Sequence, residues 1–88
     1  MKIIYTTQFK RDYKRIKKQN KNLHKFKLLI ERLLSDDVLE SKYRDHQLSG
    51  SLKGYRDCHI EPDWILIYKK TSEFLILERT GSHSDLFK

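Results

Sequence analysis

The sequence has 88 residues, of which 38% are hydrophobic and 35% charged, enough for one small core and too few for a second. We therefore expect a single folded domain over residues 1–88. Its one cysteine, Cys58, excludes an internal disulfide and a multi-cysteine zinc site. No hydrophobic run approaches the roughly 18 residues that span a bilayer, and no signal peptide is recognisable, which predicts a cytoplasmic protein without a membrane partner.

Positive charge is concentrated in the N-terminal third of the chain. The formal net charge is +7, and residues 1–27 carry ten Lys or Arg against one acid, Asp12. A basic surface attracts polyanions because binding releases their condensed counterions, so nucleic acid is the favoured partner class. Lysine and arginine stems that only shield a helix would give the same pattern, and charge alone does not separate the two interpretations.

The first half of the chain predicts a strand followed by two helices. Residues 2–6 are mostly β-branched and aromatic, which is typical of a strand, and Thr6 or Thr7 can then cap a helix. Apolar residues recur at helical spacing on both sides of a break at residues 20–22. They are Phe9, Tyr13 and Ile16 in the first helix, and Leu23, Phe26, Leu29, Ile30, Leu33 and Leu34 in the second. We expect an antiparallel helical hairpin that ends at residues 35–37.

Residues 38–53 are polar and show no clear periodicity. They predict a long connecting loop that carries Tyr43, Asp45 and His46. A loop of this length in so small a domain is often functional.

The remaining chain predicts three strands. Residues 55–61 alternate between polar and apolar, which indicates a half-buried strand, and residues 62–63 form a turn through proline and aspartate. Residues 64–68 are nearly all apolar and predict a central strand, followed by a third strand at residues 74–77. Ser82 can cap a short helical turn at the C-terminus.

This order of elements, β, α, α and then three β, predicts an α+β fold. We expect one sheet made of the N-terminal strand and a three-stranded antiparallel meander, with the helical hairpin on one face. Period-two geometry places Tyr55, Asp57 and His59 on the other, open face. Cys58 and Ile60 should point toward the core.

Three of the four histidines lie where a meander can bring them to one edge. His46 is in the long loop, His59 on the first meander strand, and His83 after the last one. With Asp63 and Arg79, and without a cofactor motif, they suggest acid–base chemistry on a phosphodiester. Cleavage of RNA by its own 2′-hydroxyl needs a base, an acid and a cation that stabilises the phosphorane, and histidine and arginine can supply all three.

Each of these residues also has a structural interpretation. His59 can be a hydrogen-bonded strand residue, Asp63 a turn residue and Trp64 part of the core. Arg79 can pair across the sheet, and Phe87 can be a terminal apolar plug or can stack on a base. A zinc site formed by the three histidines and Asp63 is chemically possible, but no close-spaced ligand pair supports it, so we predict no metal and no cofactor.

Three runs in the second half stand out, namely YRDH at residues 43–46, GYRDCHIEPDWILIY at residues 54–68 and RTGSH at residues 79–83. With Leu86 and Phe87 after them, they closely resemble the YafQ branch of the RelE superfamily of bacterial toxins. The resemblance is dense over residues 43–87 and weaker in the N-terminal half, where mainly length and helix placement agree.

The resemblance implies a RelE-like fold and the toxin of a type II toxin–antitoxin pair, a ribosome-dependent mRNA interferase that cleaves message in the A site. It also implies a cognate ribbon-helix-helix antitoxin, and operator DNA would be bound only through that partner. The matching positions give a catalytic set of His46, His59, Asp63, His83 and Phe87. The predicted substrate-binding set is Arg79, Trp64, Lys53 and Arg56. We predict His83 as the general acid and either Asp63 or His46 as the base.

The alternative function is a non-catalytic module that binds RNA or an antitoxin within a repressor complex. Its histidines would be structural, and its basic helices would form the working surface. The convergence of candidate acid–base groups favours the enzyme.

Overall fold

The chain folds into one five-stranded mixed sheet with two helices packed on one face, in a computed structural model that describes residues 1–35 and 38–87. Its elements are β1 (Lys2–Tyr5), α1 (Thr7–Lys18), α2 (Leu23–Leu34), β2 (His46–Gln47), β3 (Arg56–Glu61), β4 (Trp64–Lys70), β5 (Phe74–Gly81) and α3 (His83–Leu86). The strand order is β1-β5-β4-β3-β2, in which β1 runs parallel to β5 and the other pairs are antiparallel. No helix among the described residues is long and apolar enough to cross a membrane.

Local hydrogen bonds set the helix boundaries. Thr6 Oγ1 accepts from the backbone N–H of Phe9 at 3.0 Å, and Asn22 Oδ1 accepts from that of His24 at 3.1 Å, so each helix begins at a capping side chain. After α1, Asn20 adopts a left-handed conformation with φ 57°, which asparagine tolerates better than most residues. The helix–break–helix pattern is confirmed.

The core lies between the helical hairpin and the sheet. Phe26 on α2 stacks 5.9 Å from Phe9 and packs 5.6 Å from Tyr13, measured between ring centroids, and these contacts join the two helices. Cys58 and Ile60 are buried against the same core, as their alternation predicted. The other fully buried members include Ile16, Leu29, Trp64, Leu66, Leu75 and Leu77.

The segment predicted as a long loop is more ordered than its sequence indicates. Two 3-10 turns, Ser41–Tyr43 and Gly50–Leu52, flank β2, which pairs His46 with Asp57 at the edge of the sheet. A strand of two residues is too short to show alternation, so the predicted connecting loop did not include β2 or the two 3-10 turns. Part of the predicted end of the hairpin, Asp36 and Asp37, lies outside the described residues.

The face of the sheet opposite the hairpin is less open than predicted. Tyr55 is half-buried, but Asp57 is only 4% exposed and His59 only 9%. Side chains of neighbouring elements reduce the exposure of both residues, since His46 on β2 lies against Asp57 and the ring of His83 on α3 lies 5.4 Å from that of His59. The last strand is also longer than predicted, since an irregularity in its pairing near Glu78 interrupts the apolar alternation after Leu77.

Candidate active site

Strand register brings the candidate residues onto one face of the sheet. His46 on β2 is opposite Asp57 on β3. Two residues further along β3, His59 is opposite Ile65, whose own partner on β5 is Gly81. His46 and His59 therefore lie in neighbouring rows, and the segment after Gly81 begins beside the row of His59.

His83 and Asp63 form the closest contact of the site. His83 Nδ1 lies 2.7 Å from Asp63 Oδ1, and the backbone N–H of His83 donates to the same oxygen at 2.9 Å. These two hydrogen bonds, backbone first, hold the pKa of Asp63 below its usual value. Ser82 starts α3 in a capping box with Asp85, so the position of His83 is fixed by the helix start as well as by Asp63.

His46 is supported by a carboxylate and a main-chain carbonyl. Its Nδ1 lies 2.9 Å from Asp57 Oδ1 and 2.9 Å from the carbonyl oxygen of Arg44. Only the carbonyl is in line for a hydrogen bond, so Asp57 acts on the imidazole mainly through its charge. Burial raises the pKa of Asp57, while the nearby His46 and His59 oppose that shift.

His59 and Phe87 complete an aromatic row with His83. The rings of His59 and His83 are 5.4 Å apart between centroids, and those of His83 and Phe87 are 6.5 Å apart. Phe87 is 41% exposed, so its ring face is available to a nucleobase. The buried Nδ1 of His59 has no hydrogen-bond partner among the described residues, which is unusual for a core histidine.

The predicted substrate-binding arginines are both engaged by aspartates. Arg79 Nε donates to Asp12 Oδ2 at 2.7 Å and Arg79 Nη2 to Oδ1 at 3.2 Å, and these bonds raise the pKa of Arg79 and keep it charged. Arg56 binds Asp45 through Nε and Nη2 at 3.1 to 3.2 Å, which ties the segment before β2 to the sheet. Both arginines are thus held by an aspartate while part of each side chain stays exposed, 35% for Arg56 and 26% for Arg79, so their roles in substrate binding stay predictions.

The other two predicted substrate-binding residues do not join the cluster. Trp64 is fully buried in the core, where its indole N–H donates to Thr80 Oγ1 at 2.9 Å, and this corrects the prediction that it contacts substrate. Lys53 is exposed after the second 3-10 turn, where its backbone N–H donates to the Gly50 carbonyl oxygen at 3.1 Å. Its side chain makes no hydrogen bond or ion pair within residues 1–35 and 38–87.

No group of three or more His, Cys, Asp or Glu side chains in the part of the chain that the structure describes is arranged to hold a metal ion. His46 and His83 each use Nδ1 in a contact within the protein, which leaves only one nitrogen per ring for another partner. The arrangement therefore fits proton transfer, with one free imidazole nitrogen on each of two supported histidines.

Comparison with known proteins decides the family. The family described as "Bacterial toxin of type II toxin-antitoxin system, YafQ" matches residues 1–88. The chain belongs to the YafQ family. It is 49% identical to the mRNA interferase toxin YafQ of Escherichia coli K12 over 86 residues, which cover 97% of this chain and 94% of that protein. It is 42% identical to a putative toxin YafQ of Haemophilus influenzae, over 78% of this chain and 71% of that one.

Solved structures of the YafQ family share this fold. The crystal structure of YafQ from E. coli BL21(DE3) superposes with a TM-score of 0.93 at 47% identity, covering 98% of this chain and 97% of that one. YafQ in the E. coli DinJ–YafQ toxin–antitoxin complex superposes with a TM-score of 0.91 at 48% identity, covering 98% and 96%. The predicted α+β class is thereby confirmed, with the fold of the YafQ structures.

Three residues of this YafQ chain act in the site without having been selected from the sequence. Asp12 holds Arg79, Asp57 faces His46, and the carbonyl of Arg44 fixes the His46 ring. The sequence had shown Asp12 as the one acid of residues 1–27 and had placed Asp57 on the face of His59, but it gave neither residue a role. Nothing in the sequence indicated the role of Arg44, because that role belongs to its main chain.

Proposed function

We propose that this chain is the toxin of a type II toxin–antitoxin pair and an endoribonuclease that cleaves mRNA on the ribosome. The observation that carries the proposal is the placement of two supported histidines, His46 and His83, on one face of the sheet with His59 between them. The mRNA interferase toxin YafQ of E. coli, 49% identical to this chain, supports RNA as the substrate.

In the proposed reaction, His46 is the general base. Its Nδ1 is held by Asp57 and the Arg44 carbonyl, so Nε2 is the nitrogen that can take the proton of the 2′-hydroxyl. Asp63 was the other candidate base, but its Oδ1 already accepts two hydrogen bonds from His83. The 2′-oxygen then attacks the phosphorus, and the bond to the 5′-oxygen breaks as a 2′,3′-cyclic phosphate forms.

His83 is the general acid in this scheme. The ionised Asp63 accepts from Nδ1–H, which fixes the ring so that Nε2 can deliver a proton to the 5′-oxygen leaving group. Arg79, held charged by Asp12, is the cation available to the phosphorane, and the exposed ring of Phe87 is placed to stack on a base. His59 lies close to His83, on the same face as His46, and is positioned to contact the phosphate itself.

The substitution His83→Ala tests the acid. It should abolish growth arrest and lower the rate of message cleavage by roughly 10²-fold or more, because proton transfer to the leaving group is lost. Primer extension on message from induced cells measures the cleavage. The matched control is His24→Ala on the exposed side of α2, which should cut as the unaltered protein does.

Full cleavage by a folded His83→Ala protein would refute this role of His83. If the unaltered protein arrests growth but primer extension finds no new message ends, the result would instead favour the non-catalytic module.

Ribosome dependence and the partner are tested separately. Purified toxin should cut a translated message and leave the same RNA intact when ribosomes are absent, which also places its action in the cytoplasm. A small antitoxin of the ribbon-helix-helix class, encoded beside the toxin gene, should suppress the arrest when it is co-expressed. The DinJ–YafQ complex of E. coli is the precedent for such a partner. Operator DNA would be bound by that complex rather than by the toxin alone.

A further inference from the structure

A groove of about 480 Å³ opens beside the candidate active site, between α2, the first 3-10 turn and the turn that joins β3 to β4. Its walls include Lys25, Leu28, Lys42, Arg44, His59 and Pro62. We call it the Arg44 groove. Its volume lies within the ~300–1,000 Å³ typical of ligand sites. Apart from His59, its side chains have no part in the proposed reaction.

The Arg44 groove is continuous with the catalytic face. His59 forms part of its wall and lies 5.4 Å from His83 between ring centroids. The main chain of Arg44 makes a second connection, because its carbonyl oxygen is 2.9 Å from His46 Nδ1. An RNA strand whose scissile phosphate lies between His46 and His83 would therefore have this groove next to it.

The three cations of the groove differ in how far they are already neutralised. Lys25 Nζ lies 2.9 Å from Glu61, and Lys42 Nζ lies 3.7 Å from Glu40. The guanidinium of Arg44 has no hydrogen-bond or ion-pair partner in the described ranges 1–35 and 38–87. A guanidinium that lacks a carboxylate partner is well suited to bind a phosphate through two parallel hydrogen bonds.

Apolar and aromatic residues line the groove together with its cations. Leu28 is 43% exposed, and Lys42 Nζ lies over the half-buried ring of Tyr43, 5.2 Å from the ring centre. Pro62 is a further exposed member of the lining. This lining fits a nucleotide, because apolar and aromatic side chains can contact the flat base and the Arg44 guanidinium can bind the charged phosphate.

The backbone of Arg44 links the groove to catalysis. Arg44 adopts φ 48° and ψ 43°, a left-handed conformation that non-glycine residues avoid. Such conformations persist where the surroundings fix them, and they cluster at functional sites. Here the conformation directs the carbonyl to His46 while the side chain lines the groove.

We propose that the Arg44 groove binds the nucleotide of the message that adjoins the scissile phosphate, with Arg44 on a phosphate and Leu28 and Tyr43 against the base. The proposal rests on the proposed function, because that function defines where the scissile phosphate lies. RNA binding in the groove can be tested without cleavage, so the groove proposal and the proposed function can fail separately.

The test is an NMR titration of ¹⁵N-labelled protein with a 2′-O-methyl RNA trinucleotide, which lacks the attacking hydroxyl and cannot be cut. Backbone amide signals of Leu28, Arg44 and Glu61 should shift together with that of His83. The substitution Arg44→Asn keeps a residue that tolerates the left-handed conformation and removes the charge. It should raise the Kd about tenfold and reduce the salt dependence of log Kd by about 0.7.

The matched control is Lys2→Asn, which removes the same charge from β1 at the opposite edge of the sheet and should leave the Kd within about twofold. An unchanged Kd in Arg44→Asn, or shifts confined to His83, would overturn the proposal. Groove shifts with purified antitoxin and none with RNA would assign the groove to protein binding instead.

Binding to vacant ribosomes, which carry no message, distinguishes message from ribosomal RNA as the occupant of the groove. If the groove holds message, Arg44→Asn should bind vacant ribosomes as tightly as the unaltered toxin and should lose affinity only for ribosomes that carry message. An equal loss on both would place ribosomal RNA in the groove and contradict the proposal. Absence of message cleavage by the unaltered toxin would count against the proposed function, whatever the titration shows.

Discussion

The carboxylate of Asp57 is almost completely buried on the sheet. It is only 4% exposed, and burial is the main cause that raises its pKa above the usual value. Because the folded-state pKa lies above the unfolded one, its contribution to stability is fully present below about pH 3.9 and is lost as pH rises through the folded pKa. Above the folded-state pKa, the ionised Asp57 therefore lowers stability while its charge acts on the His46 ring.

The substitution Asp57→Asn should separate these two effects. The free energy of unfolding should rise at pH 7 relative to the unaltered protein, and this gain should shrink toward pH 3.5, where Asp57 is protonated in both states. Cleavage should fall roughly 10- to 100-fold, the range known for carboxylate partners of metal-bound histidines, because the His46 ring loses the negative charge beside it. Urea denaturation at the two pH values and primer extension provide the measurements. A stability gain that is equal at both pH values would contradict the burial argument.

Arg44 carries strain of a different kind, in its backbone. A left-handed conformation costs a non-glycine residue roughly 1–2 kcal/mol, and glycine avoids that cost at a smaller entropic penalty. This strained conformation places the Arg44 carbonyl 2.9 Å from His46 Nδ1, where it fixes the ring of a candidate active-site residue.

Arg44→Gly should therefore raise the free energy of unfolding, by about 0.5–1 kcal/mol. The opposite change is expected for Arg11→Gly, an exposed position inside α1, which should lower it by about 1 kcal/mol. Urea denaturation of both variants gives the comparison. Destabilisation by both would mean that the Arg44 side chain contributes more to the fold than its lack of partners indicates.

At the scale of elements, Asp12 joins α1 to β5. Its buried carboxylate accepts two hydrogen bonds from Arg79, one from Arg15 at 3.1 Å and one from the backbone N–H of Thr80 at 3.1 Å. Arg15 Nη2 also lies 3.6 Å from Asp85 on α3, the helix that begins with His83. One acid in a basic helix thus contacts Arg79 and Thr80 on the sheet, and through Arg15 it is linked to the helix that begins with His83.

Asp12→Ala should lower the free energy of unfolding by about 3 kcal/mol, since it leaves a largely buried guanidinium and a buried N–H without their acceptor. Thermal and urea unfolding measure the loss. Glu31→Ala, at an exposed position on α2, is the control and should stay within about 0.5 kcal/mol. A loss below about 1 kcal/mol for Asp12→Ala would show that Arg79 and Thr80 find other partners.

At the scale of the whole molecule, the sheet separates two surfaces. The candidate catalytic residues lie on the face opposite the hairpin, whereas α1 carries exposed lysines on the other side, next to a groove of about 510 Å³ lined by Tyr5, Phe9, Tyr13 and Phe26. The proposed action on the ribosome requires a cationic surface that binds ribosomal RNA, besides the candidate catalytic surface. We expect Lys10 and Lys14 to belong to that surface.

Replacing Lys10 and Lys14 by Gln should weaken ribosome binding and reduce the slope of log affinity against log salt, by up to about 1.8 for two phosphate contacts. Binding measured between low and moderate salt gives the slope. The double substitution of Lys2 and Lys27 removes the same charge elsewhere and should change the slope less. Equal slopes for both pairs would mean that net charge matters and the α1 surface does not.

The sequence by itself determined what depends on short-range pattern. The 3.6-residue spacing of Phe9, Tyr13 and Ile16, the capping side chains, and the alternation that sends Cys58 and Ile60 inward all express local geometry, so they predicted the helices, the central strands and the α+β class. The runs around His46, His59 and His83 indicated the YafQ family, which the comparisons confirm.

Only the tertiary structure decided which polar residues meet. Arg79 and Asp12 are 67 residues apart in sequence. Arg56 at the start of β3 meets Asp45 because Asp45 directly precedes β2, a strand of two residues that is too short to show a pattern. The burial of Trp64 depends on the strand pairing that brings Thr80 to its indole. Partner choice between such distant groups is set by strand register and helix packing, and no local periodicity encodes either.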